Sequence, residues 1–74
     1  MKKLFLKDGN HFDVELLAAQ QVIILHDFDG NRIASINGRD STVLILQKSL
    51  KWYELKATAE IIQNFTQYFN LLNQ

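Results

Sequence analysis

Seventy-four residues make one small domain, with no room for a second core. Apolar residues form 47% of the chain, which excludes disorder, and eight basic residues balance eight acidic ones, which excludes a global pull toward nucleic acid or an anionic membrane. There is no cysteine, so no disulfide or thiolate metal site can staple a domain that buries only about 60% of its unfolded surface.

Association with another chain is the staple that remains. Met1-Lys2-Lys3 followed by Leu4-Phe5-Leu6 imitates the start of a signal peptide, but the apolar run ends at Lys7-Asp8-Gly9, too soon for an h-region. No stretch approaches the roughly 18 apolar residues of a membrane span. A cytoplasmic protein is expected.

Lys2–Lys7 reads as a strand that closes at Lys7-Asp8-Gly9-Asn10, a turn rich in residues that tolerate the left-handed region. Phe12, Val14 and Leu16 then alternate with Asp13 and Glu15, the period of a half-exposed strand. A short helix from Asp13 through Gln20 is the competing reading. Asp8-Gly9-Asn10 and Asp29-Gly30-Asn31 echo each other, one turn chemistry used twice.

From Val22 to Gln47 the chain reads as three apolar runs, Val22–His26, Arg32–Ile36 and Thr42–Leu46, separated by Asp29-Gly30 and Asn37-Gly38. Both dipeptides suit type I′ hairpin turns, so an antiparallel meander is expected. A two-residue Asp29-Gly30 loop sets Asp27 opposite Arg32, Leu25 opposite Ala34 and Ile23 opposite Ile36. With Asn37–Asp40 in the second loop, Ala34 faces Val43 and Ile33 faces Leu44. One face then carries Ile23, Leu25, Ala34, Ile36, Val43 and Ile45. The other carries Val22, Ile24, His26, Phe28, Ile33, Leu44 and Leu46. Both faces are apolar, so each needs a cover.

The C-terminal segment supplies one. Ile61, Ile62, Phe65, Tyr68, Phe69 and Leu72 share a helical stripe, with Thr58 as the cap and Glu60 in the first turn. Between meander and helix, Leu50 and Trp52 alternate with Lys51 and Tyr53, which favours a strand or irregular structure. A helix through this segment would place Glu54 in the apolar stripe and Trp52 on the polar side.

Chemistry-bearing groups are sparse. His11, Asp13, His26, Asp27 and Asp29 lie near hairpin ends but lack metal-ligand spacing, and Asp27–Asn31 fails as a calcium loop because Arg32 stands where the loop requires glycine. There is no Gly-x-Ser-x-Gly and no phosphate-binding glycine loop. Neither an enzyme nor a cofactor is expected. Lys48, Lys51, Trp52, Tyr53 and Lys56, with Arg39 from the preceding loop, could neutralise phosphates and stack bases.

Leu4–Gly9, the Asp29-Gly30-Asn31 turn and Lys48-Ser49-Leu50-Lys51 resemble the strands and first helix of LytTR-type DNA-binding domains. The basic-aromatic strand that follows the helix in that family has no counterpart here, since residues 57–74 hold one charge. No functional residue is carried over.

The expected fold is α+β: an antiparallel, curved meander of four to six strands within residues 2–55, and one amphipathic helix over about residues 58–73 packed across it. The second sheet face is to be covered by the N-terminal hairpin folding over it or by a second subunit. The expected function is a non-enzymatic protein-interaction or regulatory module, a homodimer using Val22, Ile24, Phe28, Ile33, Leu44, Leu46 and Leu71. The alternative is a small nucleic-acid-binding protein.

Overall fold

In a computed structural model describing residues 1–74, the chain forms an antiparallel meander and two C-terminal helices. The strands are β1 (Lys2–Phe5), β2 (His11–Leu17), β3 (Val22–His26), β4 (Arg32–Asn37) and β5 (Thr42–Ile45), in spatial order β1-β2-β3-β4-β5. The helices are α1 (Trp52–Gln63) and α2 (Phe65–Leu72). No helix is long and apolar enough to cross a membrane.

The period-two pattern of Phe12–Leu16 prevails over the helical reading, and Ala18–Gln20 make a single 3-10 turn into β3. Gln21 takes a left-handed φ of 57° there. Both Asp-Gly-Asn turns have the same construction. Gly9 donates to the Leu6 carbonyl and Leu6 to Asn10, just as Gly30 donates to Asp27 and Asp27 to Asn31. Only the glycine has positive φ, +89° at Gly9 and +86° at Gly30. These are therefore three-residue loops with one left-handed residue, and not two-residue type I′ turns.

The longer loop has a consequence in β4. Leu25 lies opposite Ala34 and Ile23 opposite Ile36, as expected, but a bulge then sets His26, not Asp27, opposite Arg32. Ile33 is the extra residue of that bulge. It turns into the main core at 1% exposure, leaving the outer face to which strict alternation assigned it.

The β4–β5 register also differs from expectation. Ala34 pairs with Ile45 and Ile36 with Val43, two residues along from the predicted partners. A shift of two preserves the face of every side chain. Asn37 closes the loop by accepting N–H bonds from Arg39 and Asp40, and Ser41, not Gly38, takes the left-handed φ of 60°.

The core lies between the sheet's inner face and the helices. Leu4, Phe12, Val14, Ile23, Leu25 and Ile36 meet Ala57, Ile61, Tyr68 and Leu72 in it. The N-terminal hairpin extends this sheet alongside β3 and does not fold over its outer face.

Helix α1 begins at Trp52, six residues before the expected cap, so residues 52–55 are helical and not strand. Its buried positions are Glu54, Ala57, Thr58 and Ile61, one face of a 3.6-residue period, which leaves Ile62 exposed. Glu54 is tolerated in that stripe because its Oε1 accepts the N–H of Lys51 at 2.8 Å, satisfying a free amide at the helix start. Thr58 does not cap; its hydroxyl donates to the Glu54 carbonyl at 2.8 Å. The single helix expected is broken at Asn64, where φ is −125° and the side-chain amide donates to the Glu60 carbonyl.

Candidate functional site

In a meander, alternate turns fall at the same end of the sheet. The β1–β2 and β3–β4 turns therefore meet the start of α1. Phe28, carried outward by its three-residue loop, stacks on Phe12 with centroids 5.1 Å apart and on Tyr53 at 5.8 Å. Trp52 meets Tyr53 edge-on at 5.8 Å. Together with Asp8, Asn10 and Lys56 these rings border a cleft of about 260 Å³. That is near the lower limit for small-molecule pockets, which usually hold about 300–1,000 Å³.

The cleft gathers much of the basic-aromatic run onto one helical turn. Trp52 is 74% exposed and Phe28 67%, so both rings reach solvent. Lys51 lies 5.9 Å from the Tyr53 centroid, and the neighbouring Tyr53 phenol raises the lysine above its ordinary pKa. Lys56 is paired with Asp8 at 3.5 Å. The Asn10 amide N–H on Asp8 is the largest cause holding that carboxyl below its usual range, with Lys56 assisting. Lys48 is exposed beyond β5. Arg39 stands at the far end of β4, where its guanidinium donates to the Ala19 carbonyl at 3.1 Å, so it is not part of this cluster. Phe12 and Asp8 were not singled out from the sequence; the shared end of alternate meander turns is the signal that locates them.

Of the histidines and aspartates near the hairpin ends, His26 and Asp27 serve local structure. His26 is buried with Nε2 3.0 Å from Glu15 Oε1 and Nδ1 3.2 Å from the Gly30 carbonyl oxygen. Glu15 also receives Arg32 at 2.9 Å. Asp27 Oδ1 accepts the N–H groups of Asp29 and Asn31. No group of three or more such side chains is arranged to hold a metal ion.

The second candidate surface is the outer sheet face with its β5 margin. Cross-strand register interleaves polar and apolar groups on this face. Glu15, Ile24, Ser35 and Leu44 form one row and Leu17, Val22, Asn37 and Thr42 the next, while Glu15 also gathers His26 and Arg32 into a polar cluster. Val22 and Ile24 are buried between cross-strand neighbours, outside the main core cluster, and no helix lies over them.

Leu44 is 63% exposed, Ile45 50% and Leu46 44%. Of the other residues expected at a protein contact, Phe28 belongs to the aromatic cleft, Ile33 is in the core and Leu71 is exposed on α2. Ile45 was missed because its face was assigned to the helix, which does not reach the β5 margin.

A scan against protein-family models finds no match, and searches of curated proteins and of solved structures find none either.

Proposed function

We propose that this chain is a non-enzymatic protein-interaction or regulatory module that works in the cytoplasm as a homodimer. One observation carries the reading: the consecutive residues Leu44, Ile45 and Leu46 are exposed together at the β5 margin of the sheet. Apolar side chains exposed together at a sheet margin suit an association site. A homodimer is the simplest occupant, because a two-fold contact needs only one self-complementary patch. Sedimentation over a hundredfold concentration range tests it. A dimer whose melting temperature rises with concentration is the expected result; a strict monomer with a concentration-independent melt overturns the reading.

The exposed rings of Trp52 and Phe28 beside Lys51 favour a second reading, contact with single-stranded nucleic acid by stacking. Trp52 is the one tryptophan, so its fluorescence reports this cleft alone. Quenching by an oligonucleotide that fades with added salt supports this reading; unchanged fluorescence at low salt removes it.

A further inference from the structure

The two edges of the sheet differ in kind. Strand β1 begins with Lys2 and Lys3, and the Lys2 ammonium donates to the Leu72 carbonyl of α2. Charge and a neighbouring helix are both devices that keep other strands away from an edge. Strand β5 has neither. Thr42–Gln47 contains no charged residue and no proline, and its register with β4 is free of bulges.

Its hydrogen bonding shows which backbone groups are available. The Leu46 N–H donates to the Ile33 carbonyl at 2.9 Å, so Leu46 forms a hydrogen-bonded pair with β4. By antiparallel alternation, Leu44 and Thr42 also turn their N–H and C=O toward β4, and Val43 and Ile45 turn theirs outward. The natural partner for such a row is another strand.

We propose that β5 pairs antiparallel with β5 of a second copy about a two-fold axis, in the register that sets Leu44 opposite Leu44 of the other copy. This rests on the homodimer reading above and adds its geometry. Only outward-facing residues can exchange backbone bonds, so Val43 pairs with Ile45 of the second copy, and Ile45 with its Val43. Leu44 meets itself across a non-hydrogen-bonded position, where side chains come closest. Leu46 falls beside Thr42.

Strand length selects this register: with β5 limited to Thr42–Ile45, only Leu44 opposite Leu44 sets both Val43 and Ile45 against an outward-facing strand residue. Charge favours this partner, because Asp40 lies in the turn before β5 and Lys48 beyond its end, so antiparallel pairing brings opposite charges to the same end of the two strands. The Thr42 hydroxyl and amide on Asp40 Oδ1 hold that carboxyl below its usual range, so it is ionised at neutral pH. Opposite charges flanking an uncharged strand are self-complementary under a two-fold axis, which is what an isologous contact requires.

Leu44→Cys tests the geometry in a chain that has no other thiol. Cα atoms at a non-hydrogen-bonded pair lie about 4.5 Å apart, within the roughly 4.4–6.8 Å span of a disulfide. Mild oxidation should convert the variant to a covalent dimer at least about tenfold faster than Leu17→Cys or Leu71→Cys, both exposed elsewhere. Lys48→Glu, which brings like charges to the same end as Asp40, should weaken association several-fold in sedimentation.

A wild-type dimer in which Leu44→Cys crosslinks no faster than the controls overturns edge pairing and leaves the homodimer standing. Fast crosslinking together with Lys48→Glu association equal to wild type overturns the charge pairing at the strand ends and leaves the Leu44 register standing. A monomer at every concentration overturns both the geometry and the reading beneath it.

Discussion

Gly38 lies directly against the ring of Phe65. A Cβ at position 38 would sit 2.0 Å from Phe65 Cε1 and 2.4 Å from Cδ1, well inside contact distance. The glycine is needed for room, since its φ is not in the left-handed region. This contact ties the β4–β5 loop to the start of α2, and the Gly38 N–H donation to the Gln21 carbonyl at 2.9 Å ties the same loop to the β2–β3 connection.

The three glycines should therefore respond differently to alanine. Gly9 and Gly30 have positive φ and open space around them, so alanine there should cost about 1–2 kcal/mol from backbone strain alone. Gly38→Ala should cost about 1–3 kcal/mol from overpacking, and shortening the ring with Phe65→Leu should recover part of that loss. A double-mutant cycle by urea denaturation measures the coupling. Strict additivity at the Gly38–Phe65 pair would contradict the contact.

The start of α1 depends on Glu54. Glu54→Ala removes the acceptor of the Lys51 N–H and should destabilise by about 1 kcal/mol, whereas Glu54→Gln, which can still accept that bond, should fall within about 0.5 kcal/mol of wild type. Thermal melts of the two variants make the comparison.

Adjacent isoleucines on α1 have opposite surroundings. Ile61 is fully buried in the core and Ile62 is exposed. Ile61→Ala should cost about 2–5 kcal/mol, enough to unfold much of the population, and Ile62→Ala should stay within about 0.5 kcal/mol. Equal effects would place the helix in the wrong rotation about its axis.

Alkaline stability should centre on Tyr68. Burial, aided by its hydroxyl's hydrogen bond to Glu60, pushes the phenol up to about 12. Its folded value is raised, so the stability it contributes is present below the unfolded value near 10.0 and is lost as pH climbs toward 12. That difference corresponds to roughly 2–3 kcal/mol. Chemical denaturation between these pH values should show the decline, and Tyr68→Phe should flatten it.

Much of the architecture is legible from residues alone because it rests on local periodicity. Alternation at Phe12–Leu16, the Asp-Gly-Asn punctuation and the stripe through Ile61, Tyr68 and Leu72 are each set within a few residues. Side-chain faces survive even the two-residue error in the β4–β5 register, because a strand repeats every two residues. The aromatic and basic residues of the cleft were visible as a run, but their meeting with Phe12 and Phe28 depends on turns distant in sequence.

What the sequence determined by itself was the meander, its inner face and the presence of a C-terminal helix. Only the tertiary structure decided where that helix starts, why Gly38 is a glycine, and where Ile33 points. In each case a long-range or reciprocal contact overrides a local rule. Glu54 turns a misplaced charge into a cap, the ring of Phe65 claims the space above Gly38, and the bulge opposite Leu25 rotates Ile33 into the core. Local pattern records which side chains avoid water; packing decides which partners they avoid it with.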